Sequence, residues 1–225
     1  MMNIVITGAG KGIGFELAKL FANSKHKTFS ISRNIENLQR VQNEYLKPVS
    51  FDLVDGNYQD LLQKINDFVP HVDVLINNAG LLINKPFIDF TDEDFDRIFH
   101  TNVNAVAKLS RTLLNVLKSG SHIVNISSIG GVQGSSKFPG LALYSASKGA
   151  VSILTEAMAE ELKDNKIFVN ALALGAVQTE MLAEAFPGYK APLQANEMAE
   201  YIYNFALSGH KFYNGKVLPV SVSTP

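Results

Sequence analysis

The sequence contains no cysteine. That one absence excludes disulfide bonds, thiolate zinc sites and cysteine nucleophiles together, and it fits a reducing compartment. Charge of either sign is not in excess. Lys+Arg is 20 against Asp+Glu 21, a net charge of −1, and no basic stripe marks a dedicated nucleic-acid binder. No apolar run approaches the roughly 18 residues of a membrane-spanning helix, so no membrane partner is expected. The start of the chain lacks the basic region that precedes a signal peptide's apolar stretch: Asn3-Ile4-Val5-Ile6-Thr7 is apolar at once and breaks at Gly8. By elimination a cytoplasmic protein is expected. The histidines, His26, His71, His100, His122 and His210, are scattered without helical pairing, and no metal site is expected.

What is present is a globular composition, 46% hydrophobic and 18% charged over 225 residues. One domain spanning 1–225 is the default at roughly 100–200 residues per domain. Short runs rich in Val, Ile and Phe fall at 3–7, 27–32, 48–52, 73–77, 121–127, 166–172 and 216–221. Most are apolar on both faces, as strands of a parallel sheet covered by helices are. Helical periodicity lies between them. Ile13, Leu17, Leu20 and Phe21 share one face in 12–23, and Leu61, Leu62, Ile65 and Phe68 repeat the pattern. A long helix is predicted at 92–118, opened by a Thr91-x-x-Asp94 cap, with further helices at 143–162 and 197–208. The alternation predicts a doubly wound α/β sheet. The one long irregular stretch is 180–194.

The first strand runs into Thr7-Gly8-Ala9-Gly10-Lys11-Gly12-Ile13-Gly14 and then directly into a helix. In that context glycines let the backbone approach a pyrophosphate, and the helix N-terminus offers it N–H groups. The spacing is T-G-x-x-x-G-x-G, not G-x-G-x-x-G, and no Gly-Lys-Ser/Thr makes it a Walker loop. An NAD site usually places an acid after the second strand for the ribose 2′-OH. Here no acid occurs from 25 to 35, and Arg33 occupies the region. A guanidinium there pairs with a 2′-phosphate, and Lys11 supplies a second cation. NADP is therefore expected over NAD.

Tyr144 and Lys148 stand at i and i+4 near the start of a predicted helix, on one face. A free phenol has a pKa of about 10, so use as a base needs a desolvated cleft and nearby positive charge, whereas in reduction the neutral phenol already donates. Ser127-Ser128 closes a buried strand, Asn77-Asn78-Ala79-Gly80 closes another, and Asn102 sits inside a helix, where asparagine is a poor former. Ligands of open α/β sheets bind beyond such strand ends.

Taken together, Thr7-Gly8-x-x-x-Gly12-x-Gly14, Asp52, Asn77-Asn78-Ala79-Gly80, Asn102, Ile126-Ser127-Ser128 and Tyr144-x-x-x-Lys148 resemble the short-chain dehydrogenase/reductase family over essentially the whole chain. The resemblance implies a Rossmann-type seven-stranded parallel sheet in the order 3-2-1-4-5-6-7, with helices on both faces and a short substrate lid at 180–194. It implies Tyr144 as general acid/base, Ser128 polarising the substrate oxygen, Lys148 lowering the tyrosine pKa while holding the nicotinamide ribose, and Asn102 holding a water of the proton relay. Gly8, Lys11, Gly12, Ile13 and Gly14 would take the pyrophosphate end of the cofactor and Arg33 its 2′-phosphate. Asp52 and Leu53 would meet the adenine, and Asn78, Ala79 and Gly80 the adenosine ribose. Val177 and Thr179 keep the family's V-x-T, although Leu174-Gly175 replaces the usual Pro-Gly before it, and Ser128 lies a few residues further from Tyr144 than usual.

The implied activity is hydride transfer between NADP and a small-molecule carbonyl or alcohol, in a homodimer or homotetramer paired through 92–118 and 143–162. Two alternatives stand beside it. Epimerases and dehydratases of the extended branch use the same Tyr/Lys pair but a different glycine loop, T-G-x-x-G-x-x-G, which Lys11-Gly12 does not fit. A dinucleotide sensor with little turnover would share the fold, though such proteins usually lose the tyrosine or lysine.

Overall fold

The computed structural model describes residues 1–222, and the last three residues of the expected 1–225 domain lie outside them. In chain order the elements are β1 (Asn3–Thr7), α1 (Gly12–Asn23), β2 (Lys27–Ser32), α2 (Glu36–Gln39), β3 (Leu46–Ser50), α3 (Tyr58–Phe68), β4 (Val72–Asn77), α4 (Asp92–Phe99), α5 (Ala105–Leu113), β5 (Leu117–Ser128), α6 (Ala142–Glu161), β6 (Phe168–Leu174), β7 (Val177–Gln178), α7 (Glu180–Ala185), β8 (Leu193–Gln194), α8 (Ala195–Ser208) and β9 (Val217–Val220). Seven strands form one parallel sheet in the order β3-β2-β1-β4-β5-β6-β9, the order expected from the sequence. Among the described residues no helix is long and apolar enough to cross a membrane.

The core lies on both faces of the sheet because its central strands are apolar on both. In β1, Ile4 and Ile6 point to one side and Val5 to the other. The first side is covered by α1 and α8 through Leu17, Phe21, Met198 and Ile202. The second is covered by α3 and α5 through Leu61, Ile65, Leu109 and Leu113. Each fully buried large side chain contributes roughly 1.5–3 kcal/mol, so these two layers hold the helices against the sheet.

Three expectations change. The single helix 92–118 is divided. The capped α4 opens as predicted, with Thr91 and Asp94 forming a reciprocal capping box; a π turn follows at His100–Asn104 and then α5, which stops at Leu113. Lys118 belongs to β5, whose first residue pairs with Val72. Val72 N–H bonds the Val116 carbonyl at 2.8 Å, and Ser121 Oγ donates to the Val72 carbonyl at 2.7 Å, so strand pairing overrides helical periodicity. The run 48–52 shifts to Leu46–Ser50, which leaves Asp52 in the turn beyond the strand. The irregular stretch 180–194 contains α7, capped by Thr179, and β8, which pairs with β7.

Polar side chains also tie the layers. Asn77 Nδ2 donates to Asn125 Oδ1 at 2.8 Å, and Asn125 Nδ2 donates to Thr155 Oγ1 at 2.9 Å. This buried line joins β4, β5 and α6. Towards the other end of β5, His122 is buried, with Nδ1 on the Ala206 carbonyl at 3.0 Å and Nε2 on Asn170 Nδ2 at 3.1 Å. The neutral ring with its proton on Nδ1 satisfies both. A second proton would set an N–H against the Asn170 amide nitrogen. Burial accordingly pulls the His122 pKa down to about 4.

Because the unfolded chain takes up this proton near pH 6.5 and the folded chain only near 4, stability is present above 6.5 and is lost as pH falls. The loss approaches roughly 3 kcal/mol. Urea titrations between pH 7 and 4 should show that decline, and His122→Gln should flatten it. A wild-type midpoint that does not move across the window contradicts the assignment.

Candidate active site

The strands' carboxyl ends face a cavity of about 660 Å³. Its floor begins at the glycine loop. Gly8 and Gly12 hold φ of 67° and 56°, a region that favours glycine. A Cβ on Gly8 would lie 2.7 Å from Ala79 Cα, so the loop is pressed against the end of β4. Thr7 and Asn78 clasp it there. Thr7 Oγ1 accepts from the N–H groups of Asn78 and Ala79, each at 3.0 Å, while Asn78 Nδ2 donates to the carbonyls of Thr7 at 3.0 Å and Gly8 at 3.2 Å. Lys11 precedes α1 without capping it through its side chain. The first amides of that helix are thus free to receive an anion. Gly14 does not face the cavity: a Cβ there would strike the Gly8 carbonyl and the Asn78 amide, so it lets α1 start hard against its own loop.

Beyond β2, Arg33 is exposed, lines the cavity and makes no ion pair among the described residues. Lys11 lines the same region, but its Nζ lies 3.2 Å from Glu184 Oε1 on α7, both groups being largely exposed. Asp52 and Leu53 form the next part of the wall. Asp52 Oδ1 accepts from Val54 N–H at 2.8 Å, and Tyr58 Oη donates to the Leu53 carbonyl at 2.6 Å. Asn78, Ala79 and Gly80 continue it, with Ile13 from the start of α1 and Val177 and Thr179 from the segment before α7.

At the other end stand Ser128, Tyr144 and Lys148. Tyr144 and Lys148 rise one turn apart from the start of α6, with Lys148 Nζ 5.8 Å from the centre of the tyrosine ring. The lysine is 4% exposed and donates from Nζ to the Ile126 carbonyl at 2.8 Å. Burial pulls its pKa down to about 8. Burial pushes the Tyr144 phenol up to about 12, against a hydrogen bond with Ser128 that acts the other way. At neutral pH the phenol therefore holds its proton. Ser128 Oγ also accepts from Gly130 N–H at 3.2 Å, which fixes the hydroxyl at the end of β5. Asn102 is completely buried in the π turn and does not line the cavity. Its Oδ1 accepts from Leu81 N–H at 2.7 Å, and its Nδ2 donates to the Leu81 carbonyl and to Ser147 Oγ, each at 2.9 Å.

All the site residues expected from the sequence except Gly14 and Asn102 therefore line this cavity. The family model for short chain dehydrogenases matches residues 2–190. This chain is a short-chain dehydrogenase/reductase. Among curated relatives, carbonyl reductase (NADPH) 2 of Sus scrofa is 35% identical over 185 residues, covering 80% of this chain and 73% of that protein. The solved structure of ElxO with NADP bound is 30% identical, superimposes with a TM-score of 0.85 and covers 98% of both chains. A 3-ketoacyl-(acyl-carrier-protein) reductase from Brucella melitensis, complexed with NADH, is 28% identical with a TM-score of 0.87, over 98% of this chain and 96% of that one.

As a short-chain dehydrogenase/reductase the chain replaces Pro-Gly by Leu174-Gly175, and the structure shows how that loop is held. Leu174 stays in β6 opposite Val220, and Gly175 N–H bonds the Val220 carbonyl at 2.9 Å. Sequence reasoning missed Thr7 as a clasp, Ser147 as the partner of Asn102, and Glu184 as the partner of Lys11. Only Thr7 had a signal, its place at the strand-to-glycine junction; the other two are joined by the fold.

Holding Lys148 charged in this setting costs stability below pH 8, on the order of 3 kcal/mol. The cost disappears as the unfolded chain also deprotonates near 10.5. Lys148→Met removes the charge and loses one hydrogen bond of about 1 kcal/mol. Its thermal midpoint at pH 7 should rise by several degrees and the gain should vanish above pH 10. A large destabilisation at pH 7 would show that the lysine is a structural support and not a tolerated buried charge.

Proposed function

We propose that this short-chain dehydrogenase/reductase transfers a hydride between NADP and a carbonyl or alcohol substrate, with Tyr144 giving or taking the proton. The observation that carries the reading is the placing of Ser128, Tyr144 and Lys148 in the same cavity as the glycine loop and Arg33. The cavity wall fits the dinucleotide by its own construction: uncapped helix amides, glycines where the backbone must come close, and a guanidinium with no protein partner among the described residues. When bound, the cofactor supplies or accepts the hydride. Ser128 orients and polarises the carbonyl oxygen, and Tyr144, protonated at neutral pH, donates to that oxygen. Lys148 keeps the phenol beside a positive charge and takes the nicotinamide ribose. Because the side chain of Asn102 is spent on Leu81 and Ser147, a water-holding role falls to its main chain in the π turn.

Residues 180–194 act as a lid on a single domain; Asn84 Nδ2, in the loop after β4, donates to the Ala185 carbonyl at 2.8 Å. Homodimers or homotetramers use the α4 and α6 faces, where Phe95 and Ile153 stand exposed. A cytoplasmic setting belongs to the same proposal.

NADPH consumption with a panel of ketones, aldehydes and quinones tests the activity, and no consumption by any of them despite tight NADPH binding would favour a sensor. Cofactor choice rests mainly on Arg33, because Lys11 is already shared with Glu184. Charge-assisted bonds to a phosphate are worth about 1.5–3 kcal/mol, or roughly 10–150-fold. Arg33→Asp should erase or reverse the preference for NADP in equilibrium titrations, and Lys11→Ala should reduce it less. Equal affinity of the unaltered protein for NAD and NADP contradicts the argument.

A further inference from the structure

The cavity changes character along its length. Its charged side chains, apart from Lys148, are Lys11, Arg33, Asp52 and Glu180, carried by the glycine loop, the ends of β2 and β3, and the start of α7. Glu180 belongs to the glycine-loop end, since Oε2 lies 3.4 Å from where a Cβ on Gly12 would stand. Ile129 after β5 and Leu141 before α6 stand close to Ser128 and Tyr144 in the chain, and Leu82 after β4 and Phe186 at the end of α7 add apolar wall, with Thr101 an uncharged polar member of the lining. Phe138 and Tyr189 complete the lining and are 46% and 50% exposed, so their rings stand at the rim.

Of the nearby cations, Lys85 and Lys137 are taken up within the protein, and Lys190, beside Tyr189, does not line the cavity. Lys85 is paired with Asp94. Lys137 donates to the Val132 carbonyl at 2.7 Å, the Ser135 carbonyl at 3.0 Å and Ser135 Oγ at 2.7 Å, all within its own loop. Lys148 donates one bond to the Ile126 carbonyl and is assigned above to the nicotinamide ribose. An anionic substituent placed among Leu82, Ile129, Leu141 and Phe186 would lose its hydration with no cation in that wall, among the described residues, to replace it.

We infer that the substrate of this site is an uncharged carbonyl compound bearing a bulky apolar group, aromatic or branched, which the walls of Leu82, Ile129, Leu141 and Phe186 enclose and the rings of Phe138 and Tyr189 meet at the rim. The inference rests on the carbonyl-reducing reading above and narrows its substrate. Oxo acids and other carbonyl compounds carrying a carboxylate beside the apolar group are excluded by the same walls. In the reductive direction NADPH gives up its hydride and becomes NADP⁺, the new carbon–hydrogen bond forms with that hydride, and the carbonyl π pair takes the proton of Tyr144, whose phenolate is reprotonated from water.

Two matched probes decide it: 2-acetonaphthone and 6-acetyl-2-naphthoate, which share the ketone and ring system and differ by a carboxylate. Titration calorimetry with the whole chain, with and without NADPH, measures binding, and NADPH oxidation measures turnover. The neutral ketone should bind at least about 100-fold more tightly, and Phe186→Arg should narrow the gap by improving binding of the carboxylate. Equal or tighter binding of the carboxylate overturns the inference, as does failure of both probes to bind. If the neutral ketone binds selectively and no NADPH is consumed, the substrate preference stands and the hydride-transfer reading fails.

Discussion

The site depends on one clasp. β1 and β4 are neighbours in register, with Ile6 opposite Ile76, so both chains leave the sheet at the same level. There the side chains of Thr7 and Asn78 make four hydrogen bonds with the backbone of residues 7, 8, 78 and 79. Backbone polar groups at strand ends must find partners, and these find them in each other. The result is a glycine loop held flat against residues 78–80, with its free amides facing outward. The remaining site residues are placed relative to this junction: Gly80 lies within reach of Lys148, and Leu81 is gripped by Asn102.

The second half of the site is built under the opposite condition, with groups held where burial disfavours their charge. Tyr144 is raised and Lys148 lowered by the same cause. An ammonium 5.8 Å from the ring centre does not offset the desolvation of the phenol. The arrangement therefore favours a tyrosine that arrives protonated, which suits proton donation to a carbonyl. Proton removal from an alcohol calls for further positive charge nearby. Functional sites often hold such tension, and the surroundings bear it. Here the polar line Asn77–Asn125–Thr155 and the bond of Ser127 Oγ to the Lys148 carbonyl fasten α6 to the sheet, so the tyrosine and lysine have little room to relax.

Much of this was legible in the amino-acid sequence, for identifiable reasons. Strands apolar on both faces can only be buried in a parallel sheet, and β1 and β2 coincide with their predicted limits. The glycine loop and the Tyr144–Lys148 pair are local patterns whose meaning lies within a few residues. What was not legible depends on distant partners. The helical periodicity of 92–118 runs past the point where Val72 and Ser121 capture the chain into β5. The π turn holds Asn102 against Leu81 and Ser147, and its one trace within 92–118 is a poor helix former, asparagine, at that position. The order in 180–194 comes from a two-residue pairing of β7 with β8 and from contacts at Glu184 and Ala185. Gly14 completes the loop pattern, and a Cβ there would strike the Gly8 carbonyl and the Asn78 amide, a packing need that the loop pattern alone does not reveal.

The central claim is that a phenol kept neutral by burial is the proton donor of this cavity, and Tyr144→Phe tests it most directly. The substitution keeps the ring that packs beside Lys148 and removes only the hydroxyl. NADPH affinity by fluorescence titration and single-turnover NADPH oxidation should be measured on the same preparation with a carbonyl that the unaltered protein reduces. The account predicts unchanged NADPH binding and a rate lower by roughly 10²–10⁴-fold, the usual contribution of general acid–base catalysis. A variant that binds NADPH normally and retains most of its rate would contradict it.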